Sequence, residues 1–224
     1  MSKQPTLAFI GAGNMARAII GGLINNGYPA EQIWATEPNE AALADLAMQG
    51  LKTTSDNNEA VSQADIVVLA VKPQILKTVC EGIVDAVQSQ QPMIVSIAAG
   101  IMSSTLDHWL GTNNAIVRCM PNTPALVQTG ASGLFANDYV NAEQRQQAEE
   151  ILAAIGIAVW VDEETQLDAV TAVSGSGPAY YFLMMESMIE AGKKLGLSEE
   201  VATQLTLQTA LGAAKMASSS DVDP

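Results

Sequence analysis

The sequence predicts a doubly wound, mostly parallel α/β sheet followed by an all-α domain, and three observations carry that prediction. Short apolar runs alternate with segments of helical period from Leu7 to Val161. One of those runs, Ile66 to Val71 (IVVLAV), is apolar throughout, the pattern of a parallel strand covered on both faces. From Leu167 onward the strand signals disappear and only helical spacing continues. The expected division is a sheet domain over residues 1–162 and a helical domain over residues 163–224.

In chain order, Leu7 to Ile10 reads as the first strand. Gly11, Gly13 and Ala16 follow at G-x-G-x-x-A spacing, opening a helix from Asn14 to Asn25. Gly11 suits a tight turn, Gly13 lacks the Cβ that would hold a pyrophosphate away from the backbone, and Ala16 lets the helix pack closely on the sheet. The free N–H groups and positive dipole end of that helix then face the ligand's charge. This is the pattern of a Rossmann-type dinucleotide site, with a purely structural tight turn as the alternative. Gly21 and Gly22 weaken an exposed helix and so point to close packing.

Ile33 to Thr36 is the second strand, Ala41 to Met48 a helix stopped by Gly50, and Asp56, Asn57 and Asn58 open a short helix. After IVVLAV come a helix over Ile75 to Val87, a strand over Met93 to Ile97, a short helix over Ser104 to Leu110 and a strand over Ala115 to Cys119. Leu134 to Ala136, the helix Ala142 to Ile155 and the strand Ile157 to Val161 complete the sheet. Gly177-Pro178 then starts a helix, with proline where its missing N–H costs least. From Tyr181 to Ile189 that helix is apolar almost all round, and a partner subunit is its natural cover. Ser198 caps a last helix, with Glu199 and Glu200 opposing the dipole, that runs to about Ala217.

A formal net charge of −14 argues against a nucleic-acid surface and against an anionic membrane, and leaves small molecules as the expected ligands. No apolar run has the length of a bilayer span and the N-terminus lacks a signal-peptide pattern, so a cytoplasmic location is the expectation. Cys80 and Cys119 sit in apolar surroundings without C-x-x-C spacing, so neither a metal site nor a redox pair is expected.

Three loops follow strands on the side where open α/β sheets bind ligands: Val71-Lys72-Pro73, Ala98-Ala99-Gly100, and Met120 to Pro124. Lys72 is the one strong charge among them, and a solvated loop lysine is its bland reading. Pro121 and Pro124 hold Asn122 rigidly, either against a ligand or simply as a turn. The hydroxyls and backbone N–H groups of Ser174 to Pro178 suit a carboxylate, although a plain helix cap uses the same residues. Glu163 and Glu164 either meet a cationic nitrogen or are exposed acids. His108, the sole histidine, lies far from the predicted strand ends, which favours a structural or surface role.

Taken together, GAGNMA, AVKP, SIAAG, RCMPNTPALV, DAVTAVSGSGPAY and LGAAKM resemble the Δ1-pyrroline-5-carboxylate reductases, in the family's order and from residue 7 to about 217. The resemblance implies reduction of the ring C=N of 1-pyrroline-5-carboxylate to L-proline, the last step of proline biosynthesis, by NADPH or NADH. It implies that Gly11, Gly13, Asn14 and Met15 hold the pyrophosphate, that Asn57, Val71, Lys72 and Ala99 line the cofactor site, and that Glu164 contacts the substrate amine. Asn122, Ser176 and Gly177 are the candidate substrate contacts. It further implies homodimers through the C-terminal helices, and a decamer of five dimers.

Two departures from the family stand out. Its members continue with further helices and a loop that binds the substrate carboxylate, so the helical domain here is expected to be incomplete. At the end of the second strand stands Glu37, which suits the ribose hydroxyls and repels a 2′-phosphate, favouring NADH, unless it turns outward and leaves Thr36 and Asn39 to the phosphate. The rivals are a β-hydroxyacid dehydrogenase, disfavoured because Lys193 and Lys194 lie at the far end of their helix, and a cofactor-binding regulator without turnover.

Overall fold

The computed structural model describes residues 4–220. Eight strands form one sheet: β1 (Leu7–Ile10), β2 (Ile33–Thr36), β3 (Lys52–Thr54), β4 (Ile66–Leu69), β5 (Met93–Ser96), β6 (Ile116–Met120), β7 (Gly130–Ala136) and β8 (Gly156–Trp160). Their order is β3-β2-β1-β4-β5-β6-β7-β8, and the first six are parallel. The doubly wound class read from the sequence is therefore the observed one. Along β1, Leu7 and Phe9 enter a core shared with α1 (Asn14–Asn25) and α7 (Ala142–Ala153), while Ala8 and Ile10 enter a core on the other face. That second face is covered by α3 (Asn57–Val61), α4 (Pro73–Gly82), α5 (Val84–Gln90) and α6 (Ser103–Trp109). This two-sided burial is why the strands are apolar without alternation.

β7 runs antiparallel to β6, and β8 is parallel to β7. The connection from Met120 to Gly130 is short and holds only a 3-10 turn over Thr123–Val127, too little chain for the crossover that a parallel neighbour needs. β7 also begins four residues before the run visible in the sequence, because Gly130 and Gly133 interrupt its pattern. A Cβ on Gly133 would lie 2.6 Å from a Val170 methyl, so this glycine admits α8 (Gln166–Val170) onto the strand.

Other differences have local causes. The helix expected over Ile75 to Val87 is two helices, broken at Ile83 after Gly82. The stretch after β2 opens as a 3-10 turn, Glu40–Leu43, before α2 (Ala44–Met48), since the Asn39 side chain accepts the Ala41 N–H. β3 is a short, partly exposed edge strand without an apolar signature. Of the paired glycines, only Gly22 is at a close approach: a Cβ there would lie 2.3 Å from the Ala154 carbonyl oxygen, whereas at Gly21 it would meet open space.

By its internal contacts the chain divides into a unit that ends at Gly175 and a second that begins at Ser176. The segment from 163 to 175 belongs to the sheet because Leu167 is buried and Val170 covers Gly133. The second unit, as far as Ser220, is a pair of helices, α9 (Gly177–Lys194) and α10 (Glu199–Ser219). They pack where Gly192 lets Ala202 approach, and the Ser198 hydroxyl caps α10 by accepting the Val201 N–H. Tyr181, Phe182, Leu183 and Met184 of α9 are all exposed on the single chain, a contiguous apolar surface of the kind that marks an interaction site.

Candidate cofactor and substrate site

The chain leaves β1 toward β2 and β3 on one side and returns to β4 on the other, so the order reverses between β1 and β4. In open α/β sheets ligands bind outside the carboxyl ends of the strands at this point. Gly11 follows β1 with φ +97°, and a Cβ there would lie 2.9 Å from both the Ala70 carbonyl oxygen and a Val71 methyl. It is needed twice, for its backbone conformation and for the contact between the two loops. Gly13 is different. Its φ is −72°, and a Cβ there would meet nothing within 4 Å. Folding makes no demand for glycine at this position, and the open space lies at the uncapped start of α1, which has no acidic residue in its first turn. Asn14 and Met15 begin that helix, and Ala16 is buried as its spacing required. A pyrophosphate fits this cradle.

The second wall is knitted by hydrogen bonds. The Gly11 N–H donates to the Thr36 carbonyl (3.1 Å) and, at 3.4 Å, to its hydroxyl. The buried Thr36 hydroxyl donates to Asn57 Oδ1 at 2.6 Å, and Asp56 caps α3 by accepting the Asn58 N–H. Asn57 is thereby fixed at the crevice. Glu37 does not turn outward: its Oε2 accepts the Ala12 N–H at 3.4 Å, inside the glycine-rich turn. Asn39 faces its own 3-10 turn.

Arg17, which the motif reading passed over, donates from Nε to the Ala12 carbonyl (2.9 Å) and from its two terminal nitrogens to Asp45 and to the Ala42 carbonyl. It ties the turn to the segment after β2 and holds the Asp45 carboxyl below the usual carboxylate range. A charge one turn into an apolar helix was the available signal.

Lys72 is the exposed N-cap residue of α4, with Pro73 behind it, and it has no ion pair among the described residues. Ala99 is exposed in the loop between β5 and α6. His108 is exposed at the far end of α6, away from the strand ends. The described residues hold no group of three or more His, Cys, Asp or Glu suited to a metal ion. No described helix is long and apolar enough to cross a membrane.

Two of the expected substrate contacts also bond within the protein. The Glu164 carboxylate is paired within the protein: Oε1 accepts from the Ser103 N–H (2.5 Å) and from Arg118 Nη1 (2.9 Å), and Oε2 accepts from the Ser103 hydroxyl (2.8 Å). The Arg118 and Glu164 side chains are 7% and 13% exposed, so the two form a buried ion pair. The signal for it was a lone arginine inside the apolar strand IVRCM. Asn122 accepts the Ala131 N–H (2.9 Å) and donates to the Ser174 carbonyl (3.0 Å), so its amide braces the stretch leading to Ser176. Ser176 and Gly177 open α9, where the Ser176 hydroxyl makes no capping bond, which leaves that helix start without a cap from its own side chain.

A reversing parallel sheet, a turn whose second glycine serves no internal purpose and an uncapped helix start define a dinucleotide-binding protein with an appended helical domain. Comparison with known proteins is more specific. Residues 6–100 match the family model described as NADP oxidoreductase coenzyme F420-dependent, and residues 164–224 match that for pyrroline-5-carboxylate reductase dimerisation. The chain is 57% identical over 223 residues to the pyrroline-5-carboxylate reductase of Pseudomonas aeruginosa (99% of this chain, 81% of that one), and 47% identical over 214 residues to that of Haemophilus influenzae (96% and 79%). Among solved structures, the enzyme of Coxiella burnetii superposes with a TM-score of 0.95 at 44% identity (99% and 82% covered). That of Plasmodium falciparum, with NADP bound, superposes at 0.85 and 34% (98% and 80%). The chain belongs to the pyrroline-5-carboxylate reductase family.

Proposed function

We propose that this chain reduces 1-pyrroline-5-carboxylate to L-proline with NAD(P)H, the last step of proline biosynthesis. The observation that carries the reading is the open cradle at Gly13 and the start of α1, set at the sheet's reversal in a chain of this family. When bound, the reduced nicotinamide supplies the hydride.

The protein's own part is binding and alignment. Gly11, Gly13, Asn14 and Met15 hold the pyrophosphate through backbone N–H groups, and Asn57, Val71, Lys72 and Ala99 line the rest of the cofactor site. The uncapped first turn of α9, with Ser176 and Gly177, is the receiver for the substrate carboxylate, and Asn122 braces the segment that precedes it. A protonated ring imine carries its own positive charge, so the residues need to orient donor and acceptor rather than deliver a proton. Glu37 on the Ala12 amide favours NADH over NADPH. The exposed apolar face of α9 is covered by a second copy of the chain in a homodimer, and five dimers form a decamer; light scattering of the purified protein reads both steps. A cytoplasmic location accompanies this reading, with cell fractionation as its check.

The deciding experiment measures NAD(P)H oxidation with 1-pyrroline-5-carboxylate, with a 3-hydroxy acid in the reverse direction, and without substrate. Turnover with the imine alone is the expected result. Activity on the hydroxy acid, or binding of cofactor with no turnover on either, overturns the reading.

A further inference from the structure

Arg17 meets the glycine-rich turn twice, and both contacts fall on the peptides that flank Gly13. Its Nε donates to the Ala12 carbonyl at 2.9 Å, and its own N–H makes the first helical bond of α1, to the Gly13 carbonyl at 3.0 Å. Both peptides are trans, so the N–H groups of Gly13 and Asn14 point away from the oxygens that Arg17 holds. Neither of these N–H groups, nor that of Met15 or Ala16, has a hydrogen-bond partner among the described residues. The preceding two are already taken, that of Gly11 by Thr36 and that of Ala12 by Glu37. On its far side the guanidinium is pinned by Asp45 and the Ala42 carbonyl.

The second glycine gives this clamp its purpose. Flipping the Ala12–Gly13 peptide would take the Gly13 φ from −72° to about +108°, which glycine tolerates and a residue with a Cβ does not. The flip would set the Ala12 carbonyl oxygen where an N–H now stands, and a carbonyl oxygen repels the anion that the N–H attracts. Gly13 is exposed and a Cβ there would meet nothing within 4 Å, so packing does not oppose the flip. The Arg17 bond does, and a hydrogen bond from an ionised donor is worth roughly a factor of 10 or more in an equilibrium.

We infer that Arg17 is a positioning residue for the cofactor's diphosphate. It acts through the Ala12–Gly13 peptide, keeping the N–H groups at the start of α1 turned to the ligand and the carbonyls turned from it; this rests on the reading above that Gly11, Gly13, Asn14 and Met15 hold the pyrophosphate. An arginine that merely ties two surface segments together affects stability alone. One that meets a 2′-phosphate directly affects NADPH and spares NADH. One that acts by its charge through space loses its effect in salt. A clamp on the turn weakens every ligand that carries the diphosphate, equally and at any ionic strength.

The test compares the unmodified protein with Arg17→Met, which keeps the apolar stem, and Arg17→Lys, which keeps the charge but offers one nitrogen to three acceptors. Fluorescence titration gives Kd for NADH and NADPH, and displacement of NADH gives Kd for ADP-ribose, which carries the diphosphate, and for adenosine, which lacks it. Arg17→Met is expected to weaken NADH, NADPH and ADP-ribose alike by about 10-fold and to leave adenosine within about twofold. The loss persists at about 1 M salt, where charges are screened beyond ~3 Å, and Arg17→Lys recovers part of it. Unchanged ADP-ribose affinity in folded Arg17→Met overturns the inference, as does a loss confined to NADPH or one that disappears in salt. Should Arg17→Met fail to fold, unchanged ADP-ribose affinity in Arg17→Lys overturns it equally. Gly13→Ala separates Arg17 from the cofactor reading itself. Weak binding in Gly13→Ala with full affinity in Arg17→Met removes Arg17 alone, whereas full affinity in both removes the pyrophosphate from the turn. Each Kd is read without turnover, so the outcome does not depend on reduction of the imine.

Discussion

Replacing Glu37 by serine should move the cofactor preference toward NADPH. In the structure this carboxylate stands at the end of β2 with Oε2 on the Ala12 amide, half-buried beside the glycine-rich turn. A 2′-phosphate carries about −1.5 to −2 charges at neutral pH. At roughly 5 Å and an effective dielectric of about 60, between water and a protein surface, its repulsion by one carboxylate is about 2 kcal/mol. That corresponds to a factor of ~30 in an equilibrium constant. The ratio of kcat/KM for NADPH to kcat/KM for NADH should therefore rise by about 30-fold in Glu37→Ser, with the larger part of the change in KM. Steady-state kinetics with both cofactors, supported by Kd values from fluorescence titration, gives the ratio. Thr36 retains its bonds to Gly11 and Asn57, so the melting temperature should hold and serves as the control. An unchanged ratio in a folded variant would refute the assignment of Glu37 to the adenosine ribose.

Gly13→Ala should melt with the unmodified protein, since its added methyl meets open space at an ordinary backbone angle, yet bind cofactor more than tenfold more weakly; retained affinity would move the pyrophosphate elsewhere. Gly11→Ala should lose stability as well, by about 2–4 kcal/mol from left-handed strain and the clash with Ala70 and Val71, a fall of roughly 5–15 °C by calorimetry. Gly21→Ala should stabilise by about 0.5–1 kcal/mol from helix propensity, whereas Gly22→Ala should destabilise despite the same gain, because its Cβ would clash with the Ala154 carbonyl; denaturant titration compares the two. Burial pushes both thiols up to about 12, so a thiol reagent at pH 8 should label neither Cys80 nor Cys119 until the protein unfolds. An unfolded thiol ionises near pH 8.5 while the folded ones keep their protons, so stability should fall as pH rises from about 9 toward 12, visible as a dropping urea midpoint.

The sheet was legible because its strands are buried on both sides, and an apolar run such as IVVLAV has few other meanings. Its first turn was legible for the opposite reason, since the glycines answer to a ligand and to a neighbouring loop rather than to a periodicity. What did not show were features made by distant approach. β7 is masked by Gly130 and Gly133, whose missing side chains matter only once Ile155 and Val170 are in place. Glu164 reads as one acid among 24 until its partner is found 46 residues upstream on β6. Asn122 is read as a ligand contact because rigid turns present amides well, and only the fold shows that its amide also bonds Ala131 and Ser174. A single sequence states which residues are polar; it does not state which of them are already answered.

The reversal at β7 also decides where this chain can be divided. Because β7 and β8 run back against β6, the segment after Trp160 returns along the sheet, where Glu164 meets Arg118 and Val170 covers Gly133. A cut at residue 162, the natural seam by composition, would strip a counter-charge from a buried guanidinium and uncover a strand. A cut after Gly175 leaves both intact. Grafting this family's helical domain onto another dinucleotide-binding sheet would carry the same requirement, since the stretch before α9 is built for a sheet whose last two strands are reversed.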